Sequence, residues 1–169
     1  DGVISGRFVN YFESGMKSIE GNYVNSQPNG LWTEYWGNGL KKYEYSYANG
    51  EINGLFTEWD PDGTKRREYT YRDGKRNGPF IGYWTNGVIV TVGNYVNDQE
   101  DGLWTYSFLA TGAKSSERTY VRGQLDGPEI AWYEGGGKEH EGAYKMGRKT
   151  GRWTCYRGDG SVDHVEDYP

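Results

Sequence analysis

The amino-acid sequence predicts an all-β protein, an elongated single-layer antiparallel β-meander of about seven tandem two-stranded hairpin repeats with a period of 24 residues. Three observations predict this fold class: glycine and aromatic residues recur at a fixed interval, turn residues separate short strand-like runs, and no helix-period segment is long enough to cover a sheet. We expect residues 1–169 to form a single repeat array. Its hairpins are predicted over 6–23, 30–47, 54–71, 78–95, 102–120, 127–144 and 151–168.

The repeat is defined by glycines that stand 24 residues apart, with one step of 25. These glycines are Gly6, Gly30, Gly54, Gly78, Gly102, Gly127 and Gly151. Each glycine opens a strand-like run that carries two aromatic positions. A turn follows, and then a second strand-like run that ends in tyrosine. In the best-formed copy the segment Gly30–Tyr35 is followed by Asn38-Gly39 and by a run that ends at Tyr47. Recurrence at this spacing is typical of a repeat protein.

Two kinds of turn are expected in each repeat. The dipeptides Asn38-Gly39 and Asp62-Gly63 favour positive φ and predict tight two-residue hairpin turns. A second turn follows the terminal tyrosine, where Gly50 and Gly74 suit a left-handed backbone. This second turn would carry the chain into the next hairpin.

Aromatic side chains are expected to form the packed part of the sheet, because they make up 17% of the residues while aliphatic residues are few. The predicted structural ladder has two columns, one that opens each hairpin and one that closes it: Phe8, Trp32, Phe56, Phe80, Trp104 and Trp153, then Tyr23, Tyr47, Tyr71, Tyr95, Tyr120, Tyr144 and Tyr168. A further aromatic column, which includes Tyr35 and Trp59, lies three residues after the first. Either a bulge brings these two columns to one face, or both faces carry rings. Glu129 interrupts the first column.

The charge, the hydropathy and the single cysteine of the chain argue against nucleic-acid binding, a membrane span and an internal disulfide. The net charge is −5 and the basic residues are scattered, so nucleic acid is not the expected partner. No apolar run is long enough to be a membrane span, and no segment resembles a signal peptide. Cys155 is the single cysteine and cannot form an internal disulfide.

No arrangement of residues predicts catalysis, a metal site or a cofactor. We find no nucleophile placed with a base and no metal-ligand spacing. His140 and His164 share a column, and a metal would need a third ligand such as Asp163 or Glu139, so solvated strand histidines are favoured. Segments 60–63 and 159–163 fall where the period demands turns, which favours turns over calcium loops.

The run before the terminal tyrosine carries a lysine column and a glutamate column. Five repeats have Lys and Glu three residues apart, as Lys41 and Glu44. Ile89 and Val92 replace both in the fourth repeat, and Val162 and Val165 replace both in the seventh. Joint replacement indicates that the two columns interact. Residues Val88, Ile89, Val90 and Val92 therefore form a candidate partner-binding patch that would dock a partner protein, another copy of the chain or a covering segment. The alternative is an internal contact made by curvature of the sheet.

The pattern G-x-W-x-x-Y-x-x-N-G of residues 30–39, followed by a strand that ends Y-x-x-G-x-x-x-G at Tyr47–Gly54, resembles the MORN repeat and specifically its bacterial variant. The resemblance covers nearly the whole chain. It implies an elongated, non-enzymatic all-β array used for protein–protein contacts, and sometimes for lipid or membrane association. Bacterial proteins with this variant are often labelled antitoxins or resemble envelope proteins.

We therefore expect a non-catalytic interaction module or scaffold with a protein partner or with self-association. Alternatives are a glycan-, cell-wall- or membrane-binding repeat protein, an antitoxin-type protein that neutralises a toxin, and an accessory domain whose catalytic segment lies outside these residues. The composition suits a bacterial envelope or exported protein, and a cytoplasmic array would look the same. Because repeat arrays need capped ends, we expect further protein beside the array or end-to-end association.

Overall fold

The computed structural model describes residues 2–169, and every regular element in this range is a β-strand. The all-β class is therefore confirmed. The chain divides into two compact units, of which the first ends at Gly87 and the second begins at Val88. Strands of the first unit are β1 (Gly6–Tyr11), β2 (Lys17–Val24), β3 (Gln27–Tyr35), β4 (Lys41–Ala48), β5 (Glu51–Ile52), β6 (Gly54–Trp59), β7 (Lys65–Arg72) and β8 (Lys75–Tyr83). Strands of the second are β9 (Ile89–Val96), β10 (Gln99–Glu100), β11 (Gly102–Ser107), β12 (Lys114–Val121), β13 (Gln124–Trp132), β14 (Lys138–Lys145), β15 (Arg148–Tyr156) and β16 (Val162–Tyr168).

Each unit is an antiparallel meander in which consecutive strands pair. In the first unit the order is β1-β2-β3-β4-β6-β7-β8, and the short β5 pairs with β4. In the second the order is β9-β11-β12-β13-β14-β15-β16, and the short β10 pairs with β9. Short connections between neighbours keep all pairings local in sequence, as the repeat predicts.

The turns differ from the prediction, because the two-residue turns lie between hairpins and not within them. Asn49 and Gly50 both have positive φ, as type I′ turns require, and they join the strands on either side of the repeat boundary. Within the hairpin, Gly39 alone has positive φ, and it donates its N–H to the Trp36 carbonyl while Trp36 pairs with Leu40. The Asn38-Gly39 turn is therefore a three-residue loop with a left-handed glycine, and the prediction of a two-residue turn was wrong there. A three-residue loop places its one bulge residue in αL, so only the glycine of the dipeptide needs positive φ.

Both faces of each unit carry rings. Trp32 and Tyr35 lie three residues apart on a regular strand, and Tyr35 contacts Glu20 on the face opposite to Trp32. A register shift between Glu34 and Tyr35 then adjusts the pairing with β4. We call the face of Trp32 the ladder face and the face of Glu20 and Tyr35 the triad face, and use both names for the equivalent columns of either unit.

Burial is concentrated on the ladder face and under aromatic rings. Trp32 is 4% exposed, and Trp104 and Trp153 are each 2% exposed. Tyr23 and Tyr47 flank Trp32 edge-on, with ring centroids 5.2 and 5.9 Å away. In edge-to-face packing the positive edge of one ring lies against the negative face of the next, and this attraction adds to the stabilisation from burial.

Each of these tryptophans lies flat over a glycine of the preceding strand. A Cβ placed on Gly21 would stand 2.2 Å from Cδ2 of Trp32, and the same distance is found for Gly93 with Trp104 and for Gly142 with Trp153. Where the preceding strand carries tyrosine, the opening aromatic is the smaller phenylalanine. The ring centroids of Tyr45 and Phe56 lie 5.4 Å apart and nearly parallel, and those of Tyr69 and Phe80 lie 4.9 Å apart.

The Glu129 exception follows the same rule of matched neighbours. Glu129 is 4% exposed, and the preceding strand offers Arg118, whose Nε donates to Glu129 Oε1 at 3.2 Å. His140 Nε2 lies 3.4 Å from the same oxygen. The partners of the ladder face are thus glycine with tryptophan, tyrosine with phenylalanine, and arginine with glutamate. Size and charge are matched across each repeat boundary, which is why an acidic residue is tolerated in an aromatic column.

Candidate interaction surface

The lysine and glutamate columns of the triad face form ion pairs, as the joint replacement in the sequence indicated. The Lys65 ammonium lies 2.7 Å from Glu68, and that of Lys138 lies 2.6 Å from Glu141. The other pairs are Lys17–Glu20, Lys41–Glu44 and Lys114–Glu117. All five lysines are about half exposed, so each pair contributes little to stability by itself.

An aromatic residue of the next repeat completes each pair and makes it a triad. The hydroxyl of Tyr35 donates to Glu20 at 2.5 Å, and that of Tyr156 donates to Glu141 at 2.5 Å. The Tyr35 hydroxyl, with Arg7 and Lys17, lowers the pKa of Glu20 to about 2. Burial and the Glu20 carboxylate raise the pKa of Tyr35 to about 12. Glu20 therefore stays charged and Tyr35 stays neutral over a wide pH range, which preserves the hydrogen bond that links these neighbouring repeats.

In two triads the aromatic member is tryptophan. The Lys41 ammonium lies 5.5 Å from the ring centroid of Trp59, and the Lys114 ammonium lies 5.2 Å from that of Trp132. Here the aromatic group contacts the lysine through its ring, a cation–π contact worth about 0.5–1 kcal/mol at an exposed site.

The fourth repeat has lost all three members of the triad. Ile89 and Val92 take the lysine and glutamate positions. In the other triads the aromatic residue comes 18 residues after the lysine, in the next repeat, and here that position is Ser107. Sequence reasoning identified the first two replacements and missed Ser107. The missing signal was the spacing of 18 residues, which connects columns in different repeats.

Ile89 and Val92 are each 42% exposed. Val92 pairs with Thr105 and Leu103 pairs with Thr119, so strand alternation places Val92, Leu103 and Val121 on the triad face of the second unit. We call the exposed aliphatic residues that β9, β11 and β12 carry around Val92 on this face the aliphatic strip. It consists of Ile89, Val92, Val96, Leu103 and Val121.

The other two residues of the predicted patch are placed differently. The side chain of Val88 lies against the next hairpin turn, where a Cβ on Gly112 would be 3.3 Å from Val88 Cγ1. Val90 is half-buried. Val88 thus has an internal packing contact, whereas Ile89 and Val92 present their side chains to solvent.

The first unit also exposes aliphatic side chains on its triad face, chiefly Val24, Leu31 and Leu55. In that unit Leu31 pairs with Ser46, and the adjoining row of the same face carries Glu44 with its partner Lys41. The aliphatic strip differs because β9 has Val92 where β4 has Glu44. Ile89 and Val92 therefore extend the exposed aliphatic surface beside Leu103, where the first unit has an ion pair.

The histidines do not converge on a site. His140 contacts Glu129 and stacks against Trp153 at 5.7 Å, while His164 Nδ1 lies 2.9 Å from Asp163. Within residues 2–169 no three His, Cys, Asp or Glu side chains are grouped so that they could hold a metal ion. The same part of the chain has no helix that could span a membrane.

Two segments match the family model described as the MORN repeat variant, at residues 52–73 and 76–97. The resemblance predicted from the sequence is thereby confirmed. The second matched segment contains Ile89 and Val92. No curated protein is similar enough in sequence to be matched with the chain.

Proposed function

We propose that this chain, which carries MORN-variant repeats at 52–73 and 76–97, is a non-catalytic protein-interaction module that binds a partner through the aliphatic strip. The observation that supports this function is the coordinated loss of a triad. Ile89, Val92 and Ser107 stand where five other repeats have a lysine, a glutamate and an aromatic residue of the next repeat. They leave exposed aliphatic side chains in place of the ion pair.

The chemistry of the strip favours a partner with an apolar surface. A stable interface buries about 800 Å² on each partner, so the strip would form the centre of a larger footprint. The threonines between its members, Thr105 and Thr119, would contribute hydrogen bonds around that centre. Binding would draw most of its free energy from a few desolvated aliphatic side chains.

The decisive variant is Ile89→Lys with Val92→Glu, because it restores the ion pair that five other repeats have. Val162→Lys with Val165→Glu is the matched control, since these residues occupy the same two columns in β16 and are similarly exposed. All three proteins should keep the circular-dichroism spectrum and thermal midpoint of a folded sheet.

Partners would be captured from the native source with the intact chain, crosslinked and identified by mass spectrometry. We expect a protein that the wild type and the control retain and that the Ile89/Val92 variant loses. Equal capture by all three chains would contradict binding through the strip. Unfolding of the Ile89/Val92 variant would show that the patch belongs to the packed interior.

A further inference from the structure

Two open surface depressions lie at equivalent positions of the repeat, one in each unit. The first, of about 320 Å³, is lined by Leu40, Lys41, Trp59 and Gly63. The second, of about 290 Å³, is lined by Ala113, Lys114, Trp132 and Gly136. Both lie beside a hairpin turn on the triad face, and we call them the Trp pockets.

The choice of aromatic residue in the triad sets these two positions apart from the others. Where the triad contains tyrosine, as at Tyr35 and Tyr156, the hydroxyl reaches the glutamate and ties the ring to the ion pair. Tryptophan has no hydroxyl to extend toward Glu44 or Glu117, so these carboxylates bond to lysine without a tyrosine.

The turn glycine supplies the wall of each pocket. Gly63 and Gly136 have φ of 88° and 93°, and they leave a backbone surface without a side chain beside the indole. The result in both units is a half-buried indole bordered by a lysine ammonium and by the turn backbone. The carboxylate that pairs with this ammonium, Glu44 or Glu117, lies behind it.

We propose that each Trp pocket binds one ring of a neutral saccharide. The apolar face of a pyranose packs on an indole, and its hydroxyls can accept from the lysine and donate to the glutamate. The ammonium and its paired carboxylate sum to zero charge, so a cationic or an anionic guest gains no net electrostatic attraction, while a purely apolar guest would leave both charges without solvent. The volumes lie at the small end of ligand sites, which suits a single ring.

The lysine over each indole has to swing aside for the sugar to stack. The side chains of Lys41 and Lys114 are 47% and 45% exposed, so they can move into solvent. The contacts they give up are a cation–π interaction and an ion pair with Glu44 or Glu117, both weak at exposed sites. In contrast, Trp32, Trp104 and Trp153 are buried on the ladder face and offer no surface for a sugar.

The test is a two-dimensional NMR titration of the whole chain, following the indole N–H resonances. Neutral hexasaccharides of glucose and of N-acetylglucosamine are the probes, and a hexamer of glucuronate is the charged comparison. We expect the Trp59 and Trp132 resonances to shift with dissociation constants on the order of 1 mM, while Trp32 and Trp153 stay unchanged.

The matched variant is Trp59→Tyr with Trp132→Tyr, which recreates the closed triad seen at Tyr35 and Tyr156. It should weaken saccharide binding at least tenfold with no loss of thermal midpoint. The Ile89→Lys/Val92→Glu variant should bind saccharide as the wild type does, because its substitutions lie outside both pockets.

Three results would overturn the proposal: no shift of either indole with any neutral probe, undiminished binding by the tyrosine variant, or tighter binding of the glucuronate hexamer. If the tyrosine variant unfolds, the wild-type titration decides by itself. None of these results bears on the aliphatic strip, so failure of the sugar site and failure of the protein-interaction function remain distinguishable.

Discussion

Replacing Gly21 with tyrosine and Trp32 with phenylalanine tests whether size matching across the repeat boundary holds the ladder face together. The new Cβ of Gly21→Tyr would lie 2.2 Å from Trp32 Cδ2 and 2.3 Å from Cε2, far inside the roughly 3.5–4.0 Å at which carbon atoms are in favourable contact. Trp32 is 4% exposed and is flanked by Tyr23 and Tyr47, so the ring has little room to withdraw. Overpacking of this kind costs about 1–3 kcal/mol, and a whole added ring places the cost at the upper end, near ~3 kcal/mol.

Trp32→Phe alone should cost about 1–2 kcal/mol, because the smaller ring leaves a void above Gly21. The double variant recreates the combination seen at Tyr69 and Phe80, whose rings lie 4.9 Å apart. We therefore expect the two changes to compensate, with a favourable coupling free energy of about 2 kcal/mol.

Urea unfolding followed by circular dichroism would give the four free energies of the double-mutant cycle. Gly37→Tyr is the control for introducing tyrosine, since no atom lies within 4 Å of its Cβ position and its stability should change by less than about 0.5 kcal/mol. The reasoning is refuted if the two single changes add to within about 0.5 kcal/mol in the double variant.

Four further predictions concern one turn position and three side-chain contacts. Met146 has a φ of 48° at the first position of a type I′ turn and is 69% exposed. Because asparagine tolerates positive φ better than methionine, Met146→Asn should raise the free energy of unfolding by about 0.5–1 kcal/mol in a denaturant titration. A decrease would contradict the turn assignment. The pKa of Glu20 falls from 4.5 to about 2 on folding, so ionised Glu20 should stabilise the fold fully above pH 4.5 and lose this effect as pH falls toward 2. The thermal midpoint should therefore depend less steeply on pH in Glu20→Gln than in the wild type. Equal slopes would exclude the contact. The raised pKa of Tyr35 places a second loss between pH 10 and about 12 as pH rises, which Tyr35→Phe should remove. Glu129→Gln should destabilise the second unit by about 1–3 kcal/mol, less than a fully buried pair would, because Arg118 is 39% exposed; adding Arg118→Gln should recover part of the loss, and a further loss would show that the pair is not the cause.

The repeat itself could be predicted from the sequence because its signals are local. A hairpin needs alternating strand residues and a turn within about 20 residues, and both are visible in a segment such as 30–47. The lysine–glutamate pairing was also predictable, since its members lie three residues apart and were lost together at Ile89 and Val92. The type of each turn was not, because Asn38-Gly39 suits both a two-residue turn and the three-residue loop that forms.

What only the tertiary structure decided were the contacts between repeats. Gly21 meets Trp32 across 11 residues, and Lys41 meets Trp59 across 18, so neither pairing appears as a local pattern. Such partners depend on strand register, and a shift of one residue would move every side chain to the other face. The sequence by itself therefore determined the hairpins and their period. Strand register and bulges determined that Arg118 lies opposite Glu129. They also determined that Ser107 takes the aromatic position of the triad that Ile89 and Val92 replace.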